Sequence, residues 1–349
     1  MATQEEFAGQ LLTTFNHAAL AMMVSIGHRT SLFDTMSQMA PATIAEIAQR
    51  ANLQSRYVQE WLGAMVTSGV IEVDPATDRY SLPAAHAASL TRAAGPDNMA
   101  SLAQYFAELG GVESDVVECF RNGGGVPYEK YPRFHDIMAE SSAKFVAGAL
   151  ESDVLPLIPE LREHLQRGIR AVDVGCGRGL TMIRLAERFP NSRFEGVDFS
   201  QEAIRYAHSQ AHLKGLTNVT FHAQDATAPL EADAYDWITS FDAIHDQGQP
   251  LEVLQNICRA LKPDGVYLMQ EIRGSSHHHG DIGHPLGTLL YAISCMHCMT
   301  VSLAQGGEGL GAMWGEERTR DYLTRAGFRS IERHELAHDI QNYWYVVRK

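Results

Sequence analysis

Apolar residues recur at helical spacing from Phe7 to Met36 with no proline between them, which predicts one or two helices. Residues 42–53 form a shorter helical stretch, with Thr43 placed as an N-cap and Glu46 at capping-box distance. After a turn at 52–55, residues 56–68 continue as helix and stop at Gly69, where a left-handed C-terminal residue is expected. Residues 70–73 alternate as a strand does, Asp74, Pro75, Thr77 and Asp78 mark a turn, and 80–82 return. Helix, turn, helix and hairpin in this order describe a winged helix. Further helices are expected over 96–119, 134–150 and 151–166, with breaks at Asn122 to Gly125, Pro156 and Pro159.

From residue 167 the pattern changes. Strands at 169–174, 193–197, 219–223, 235–240 and 266–271 alternate with helices at 180–189, 202–214 and 251–261. A helix at 316–326 precedes two strands, near 330–333 and 343–347, without a crossover helix between them. Such alternation predicts a parallel sheet covered on both faces, ending in an antiparallel hairpin at one edge. The expected fold class is α/β: a Rossmann-like domain behind a mainly helical winged-helix domain. The expected division is 1–95 winged helix, 96–166 linker helices and 167–349 Rossmann-like domain, with a lid insertion at about 273–314.

Composition narrows the partners. Hydrophobic residues make up 45% and charged residues 20%, as in ordinary globular proteins. A net charge of −14 without any basic run disfavours a nucleic-acid partner. The helix at 56–68 presents Gln54, Arg56, Gln59 and Glu60, a thin set for phosphate contacts. The winged helix is therefore expected to dimerise the chain or to wall off a pocket. The five cysteines, Cys119, Cys176, Cys258, Cys295 and Cys298, are odd in number and widely spaced. With a polar N-terminal segment they point to a reducing, cytoplasmic setting. The apolar stretch 286–303 carries Tyr291, Ser294, His297 and two cysteines, so it is expected to be buried in protein, with no membrane partner.

Gly175, Gly177 and Gly179 lie between a predicted strand and helix, where glycine lets the backbone turn sharply and approach a ligand. The spacing is G-x-G-x-G, with Leu180 where a dinucleotide site has its third glycine. Asp173 stands inside the motif; a carboxylate there suits the ammonium of a methionine moiety and not a pyrophosphate. Asp198 ends the second strand, where a carboxylate reaches ribose hydroxyls, and Asp225 ends the third, where it can accept from an adenine amino group. The three acids offer one for each part of an adenosylmethionine, and the G-x-G-x-G spacing with Asp173 argues against a nicotinamide-dependent oxidoreductase.

With Leu261-Lys-Pro-Asp-Gly265 before a strand, these positions resemble the successive motifs of class I S-adenosylmethionine-dependent methyltransferases. The N-terminal module resembles that of bacterial winged-helix small-molecule methyltransferases. The resemblance implies S-adenosyl-L-methionine as cofactor, a homodimer, and a small-molecule acceptor methylated on O, S or C. The cofactor set it implies is Asp173, Gly175, Gly177, Asp198, Phe199, Asp225, Ala226 and Phe241. The alternative is a winged-helix regulator that senses a metabolite with its Rossmann-like domain.

After the fourth strand, Phe241-Asp-Ala-Ile-His-Asp246 places His245 where plant-type O-methyltransferases hold their catalytic base, although Gln247 stands where that family has Trp. His245 is the expected base. The dense set His277, His278, His279, His284, His297, Cys295 and Cys298 raises the question of a metal. A structural zinc needs four ligands and a second matched pair, which is lacking. A mononuclear site from His245 and a lid histidine is the alternative; the expectation is no metal. Met296, Met299, Met313 and Trp314 are candidates for an apolar pocket wall.

Overall fold

The computed structural model describes residues 3–349. Two compact units divide the chain, 1–110 and 111–349. The helices expected as a separate linker are thus shared out, 96–110 to the first unit and 111–166 to the second. Gly110-Gly111 stands at the division and breaks the single helix expected over 96–119, because glycine is the least helix-favouring residue after proline.

In the first unit, α1 (Gln4–Arg29) and α2 (Leu32–Ser37) lead into α3 (Ile44–Ala51) and α4 (Ser55–Thr67). Thr43 and Glu46 form the expected capping box at the start of α3, satisfying two backbone donors reciprocally. The hairpin is β1 (Glu72–Asp74) and β2 (Arg79–Ser81), followed by α5 (Ala84–Leu90) and α6 (Gln104–Gly110). Phe33, Ile47, Trp61, Leu62 and Met65 form its core. The first half of α1 stays outside it, with Phe7, Leu12 and Phe15 each more than half exposed.

In the second unit, α7 (Glu113–Asn122), α8 (Phe134–Ser142) and α9 (Leu161–Arg167) precede the sheet. β3 (Arg170–Val174), α10 (Leu180–Arg188), β4 (Arg193–Asp198), α11 (Gln201–Leu213) and β5 (Val219–Ala223) follow. β6 (Tyr235–Phe241), α12 (Pro250–Ala260) and β7 (Leu261–Ile272) complete the alternating part. The insertion carries α13 (Gly287–Ile293), a π-helical turn at 294–298 and α14 (Met299–Ala304). α15 (Gly315–Ala326), β8 (Ser330–His334) and β9 (Asn342–Arg348) close the chain. The run Gly287–Ala304 is long and apolar enough to cross a membrane by length and composition, and 44% of it is buried inside the protein.

The sheet runs β5-β4-β3-β6-β7-β9-β8, parallel from β5 to β7 and antiparallel thereafter. The C-terminal hairpin is antiparallel as expected, and β9 lies inside β8 against β7. Side chains alternate across the sheet with the period of a strand. Ala171, Trp237, Leu268 and Trp344 enter one core; Val172, Ile238, Met269 and Tyr345 enter the other. The chain moves outward from β3 through β4 to β5, then returns to pair β6 with the other side of β3. The carboxyl ends of β3 and β6 therefore flank a topological switch point, where an open α/β sheet leaves its ligand crevice.

Candidate active site

The loop after β3 is built on three left-handed glycines, Gly175 (φ +77°), Gly177 (φ +51°) and Gly179 (φ +70°). A Cβ on Gly175 would stand 2.5 Å from Cβ of Ala243, so this loop can meet the loop after β6 only as glycine. Gly175 N–H and Cys176 N–H both donate to Val197 O, at 2.9 and 3.0 Å, which ties the loop to β4. Gly177 N–H donates to Asp198 Oδ2 (2.8 Å), and Ser200 N–H donates to Oδ1 of the same carboxylate (2.8 Å).

A cleft of about 750 Å³ opens at this point. Gly175, Gly177, Asp198, Phe199, Ala226 and Phe241 line it, six of the eight residues expected for the cofactor. A second cavity of about 500 Å³ shares Gly175, Gly177 and Phe241 and reaches Asp173. Asp225 is placed differently. Its carboxylate accepts from the N–H and hydroxyl of Thr227 (2.8 and 2.7 Å) and is exposed, while its neighbours Gln224 and Ala226 line the cleft.

Asp173 is buried and accepts from the Thr239 hydroxyl (2.8 Å), its cross-strand partner on β6. Burial pushes its carboxyl up to about 7 in spite of that bond. Burial also raises Asp198, against the two N–H donors that favour its charge, and raises Asp242 and Asp246. The lining contains no Lys or Arg among the described residues. Asp242 and Asp246 have His245 beside them, and Arg178, which lines the smaller cavity, is engaged by Asp136 and Glu202; Asp173 and Asp198 keep no Lys or Arg partner, which suits a ligand that brings positive charge.

Helix α8 covers one side. Arg178 of the glycine loop bonds Asp136 of α8 and Glu202 of α11 (3.0 Å to the latter) and lies over the Tyr206 ring at 4.6 Å. Tyr128, before α8, meets Phe199 edge-on at 5.3 Å and His297 at 5.3 Å. Neither Tyr128 nor Phe134, both lining the cleft, was expected from sequence, because their approach depends on how α8 packs.

At the other end, the chain leaves β6 through Asp242 in a left-handed conformation (φ +50°), a strained choice for a residue with a Cβ. The turn aims Ile244 N–H at Glu271 Oε1 (3.1 Å) and His245 Nδ1 at Glu271 Oε2. Trp314 Nε1–H donates to the same Oε2 (3.1 Å). His245 itself is buried behind the cleft wall; its Nε2 lies 3.3 Å from Asp246 Oδ1, and Asp246 lines the cleft. Burial lowers the imidazole, but the Glu271 and Asp246 carboxylates outweigh it and leave His245 well above its ordinary value. Glu271 was missed from sequence. The available signal was an acid closing the apolar run Tyr267-Leu-Met-Gln-Glu-Ile272 in a strand buried on both faces.

Cys295 and Cys298 do not act together. Cys298 is buried beside His245 and Asp246, whereas Cys295 lines a separate cavity with Cys119 and Phe120. Among the described residues, two groups could hold a metal: His245, Asp246 and Cys298, or Asp242, His245 and Glu271. Trp314 is a buried donor to Glu271, and none of Met296, Met299 and Met313 lines the cleft.

Residues 165–310 match the family model described as a methyltransferase domain, and 18–92 match an Rv2258c-like winged HTH domain. Malonyl-[acyl-carrier protein] O-methyltransferase of Bacillus cereus is 30% identical over 147 residues, 42% of this chain and 49% of that protein. The chain thus spans about half the length of the curated relatives it matches. Two solved structures are similar over nearly their whole length. PigF with SAH has 19% identity, a TM-score of 0.72 and full coverage of both chains. The O-methyltransferase NcsB1, in complex with S-adenosylmethionine and 2-hydroxy-5-methyl naphthoic acid, has 16% identity and a TM-score of 0.64, covering 94% of this chain and 95% of its own. At these identities the likeness establishes the fold.

Proposed function

We propose that this chain, a winged helix joined to a methyltransferase domain, transfers a methyl group from S-adenosylmethionine to a small-molecule acceptor. The observation that carries the reading is the convergence of the β3 glycine loop and the Glu271–His245–Asp246 array on the walls of one cleft. The residues present fit the cofactor: glycines admit it closely, and the buried carboxyls of Asp173 and Asp198, neither bonded to Lys or Arg, answer a ligand bearing ammonium and sulfonium charges. When bound, S-adenosylmethionine supplies a methyl group already activated on sulfur.

The chain's task is then alignment, exclusion of water and handling of the acceptor's proton. Asp173 takes the ammonium end, Asp198 the ribose, and Phe199, Ala226 and Phe241 enclose the ring and linker. Asp225 assists at the adenine only by a turn of its side chain away from Thr227. Asp246 faces the acceptor with the His245 imidazolium, held by Glu271, behind it, so an acceptor hydroxyl, thiol or acidic carbon can give up its proton to the Asp246 carboxylate, and His245 orients that carboxylate.

The winged helix supports a second copy of this chain as partner more than nucleic acid. Arg56 on α4 is committed to Glu60, and α1 leaves Phe7, Leu12 and Phe15 in solvent. Five free cysteines support a reducing, cytoplasmic setting.

Calorimetry with S-adenosylhomocysteine is the first test, followed by an acceptor screen read by S-adenosylhomocysteine release. One cofactor product bound per chain is expected. No binding at about 1 mM, the weak end of ordinary cofactor affinity, overturns the reading.

A further inference from the structure

S-adenosylmethionine carries its ammonium and its carboxylate on the same carbon. With the ammonium at Asp173, the carboxylate comes to rest in the cavity of about 500 Å³ that reaches Asp173. Asp173 and Asp198 are buried acids, and an anion brought in beside them without hydrogen-bond donors would be costly. Donors must therefore meet it there.

The cavity wall supplies them. His135 of α8 and Arg178 of the glycine loop line it, together with the hydroxyl-bearing Ser142 of α8 and Thr181 of α10. Arg178 donates through its Nη atoms to Asp136 and Glu202, while its Nε is buried and makes no hydrogen bond. A buried guanidinium N–H is normally paired, so this one points to an acceptor that arrives from outside the protein.

His135 lines the main cleft as well, and so stands where the two cavities meet. The Tyr128 hydroxyl lies 3.5 Å from its Nδ1, which leaves Nε2 as the ring's other donor position. Burial lowers the imidazole and Arg178 adds to that effect, against Asp198, Glu202 and Asp136, which favour its charge. A carboxylate beside the ring would offset the burial and favour the imidazolium. Helix α10 begins behind Gly179 with no side-chain cap, so its first-turn N–H groups also remain open to an anion.

We propose that His135 Nε2 and Arg178 Nε receive the carboxylate of the cofactor's amino-acid end, so that α8, which lies outside the sheet, reads that end of the ligand. Recognition is then two-sided: Asp173 on β3 answers the ammonium, while α8 and the glycine loop answer the carboxylate. The site thereby selects an α-amino acid over the corresponding simple amine. The bond from Arg178 to Asp136 ties α8 to the loop but is separate from this selection. The assignment deepens the proposed function and rests on it for the identity of the ligand.

Calorimetry on the full-length protein compares S-adenosylhomocysteine with S-adenosyl-3-thiopropylamine, the same molecule without its carboxylate. The wild type should bind the amine about 10- to 100-fold more weakly, the loss expected for a charge-assisted hydrogen bond. His135→Ala and Arg178→Met should each weaken S-adenosylhomocysteine about 10-fold or more and leave the amine within about 2-fold, since the removed group never touched it. Binding of the amine shows at the same time that the variant site has folded. Asp136→Asn releases α8 from Arg178 but keeps both donors, so the ratio of the two affinities should stay at the wild-type value. Equal affinity of the wild type for the two ligands overturns the carboxylate site and leaves the proposed function standing. Equal losses for both ligands in His135→Ala and Arg178→Met, or unchanged S-adenosylhomocysteine affinity in both, do the same. Binding of neither ligand by the wild type overturns the proposed function, and the carboxylate site with it.

Discussion

Gly175→Ala tests whether the two loops of the site touch as described. The new methyl would meet one neighbour closely, Ala243 Cβ at 2.5 Å, with Ala243 Cα at 3.8 Å as the only other atom within 4 Å. Two costs are expected. A left-handed φ of +77° is about 1–2 kcal/mol worse for alanine than for glycine. Overpacking against Ala243 adds about 1–3 kcal/mol, for a total of about 2–5 kcal/mol, a large share of a typical domain's 5–15. The second term should vanish in Gly175→Ala/Ala243→Gly, where the obstructing methyl is gone, while Ala243→Gly alone costs about 0.5–1 kcal/mol. Urea unfolding followed by tryptophan fluorescence reads this, because Trp237, Trp314 and Trp344 all lie in the second unit. The double variant should be more stable than Gly175→Ala, with a coupling of about 1–3 kcal/mol between the sites. Because Ala243 begins the turn that carries His245 and Asp246, turnover lost in Gly175→Ala should return in the pair. Additivity within about 0.5 kcal/mol would refute the contact and the route from glycine loop to reacting residues.

Asp198→Ala should weaken S-adenosylhomocysteine about 10- to 100-fold by calorimetry, the worth of a hydrogen-bonded carboxylate; unchanged affinity removes the ribose assignment. Asp173, with a folded value of about 7, favours the folded state below its unfolded value and loses that contribution as pH rises towards 7. Asp173→Asn should therefore raise apo stability at pH 8 by on the order of 1–4 kcal/mol, with less than half of that gain at pH 5, while weakening cofactor binding. Thermal melts at both pH values check it, and an equal effect at the two would contradict the buried carboxyl. His245→Ala should lower turnover about 100-fold or more while S-adenosylhomocysteine affinity stays within a few-fold; full activity removes His245 from the reaction.

The sequence by itself determined the periodic features. Alternation of strands and helices over β3 to β7 specified a parallel sheet, since parallel neighbours need crossover connections, and helices of that length cover both faces. The capping box at Thr43, the glycines at 175, 177 and 179, and an acid after each of three strands were all local, and each is where spacing put it. The glycine-loop end of the cleft follows from them, because the loops at the carboxyl ends of adjacent strands must share one crevice.

The acceptor end was decided by tertiary structure. Glu271 reaches His245 only because β6 and β7 pair in parallel, which sets Phe241 beside Gln270. Among the clustered histidines, the apolar stretch 286–303 already marked His297 for burial, while His277, His278 and His279 lie in a surface loop; what spacing could not supply is its neighbour, Phe134 of α8, stacked on the ring. Cys295 and Cys298 formed a suggestive pair by spacing, yet the wound-out turn between them sends one into a separate cavity. Asp225 is the converse case, a correctly spaced acid whose short side chain closes on Thr227 before reaching the cleft. Spacing along a chain fixes what lies at a strand's end; which side chains converge from distant segments depends on packing that no local pattern records.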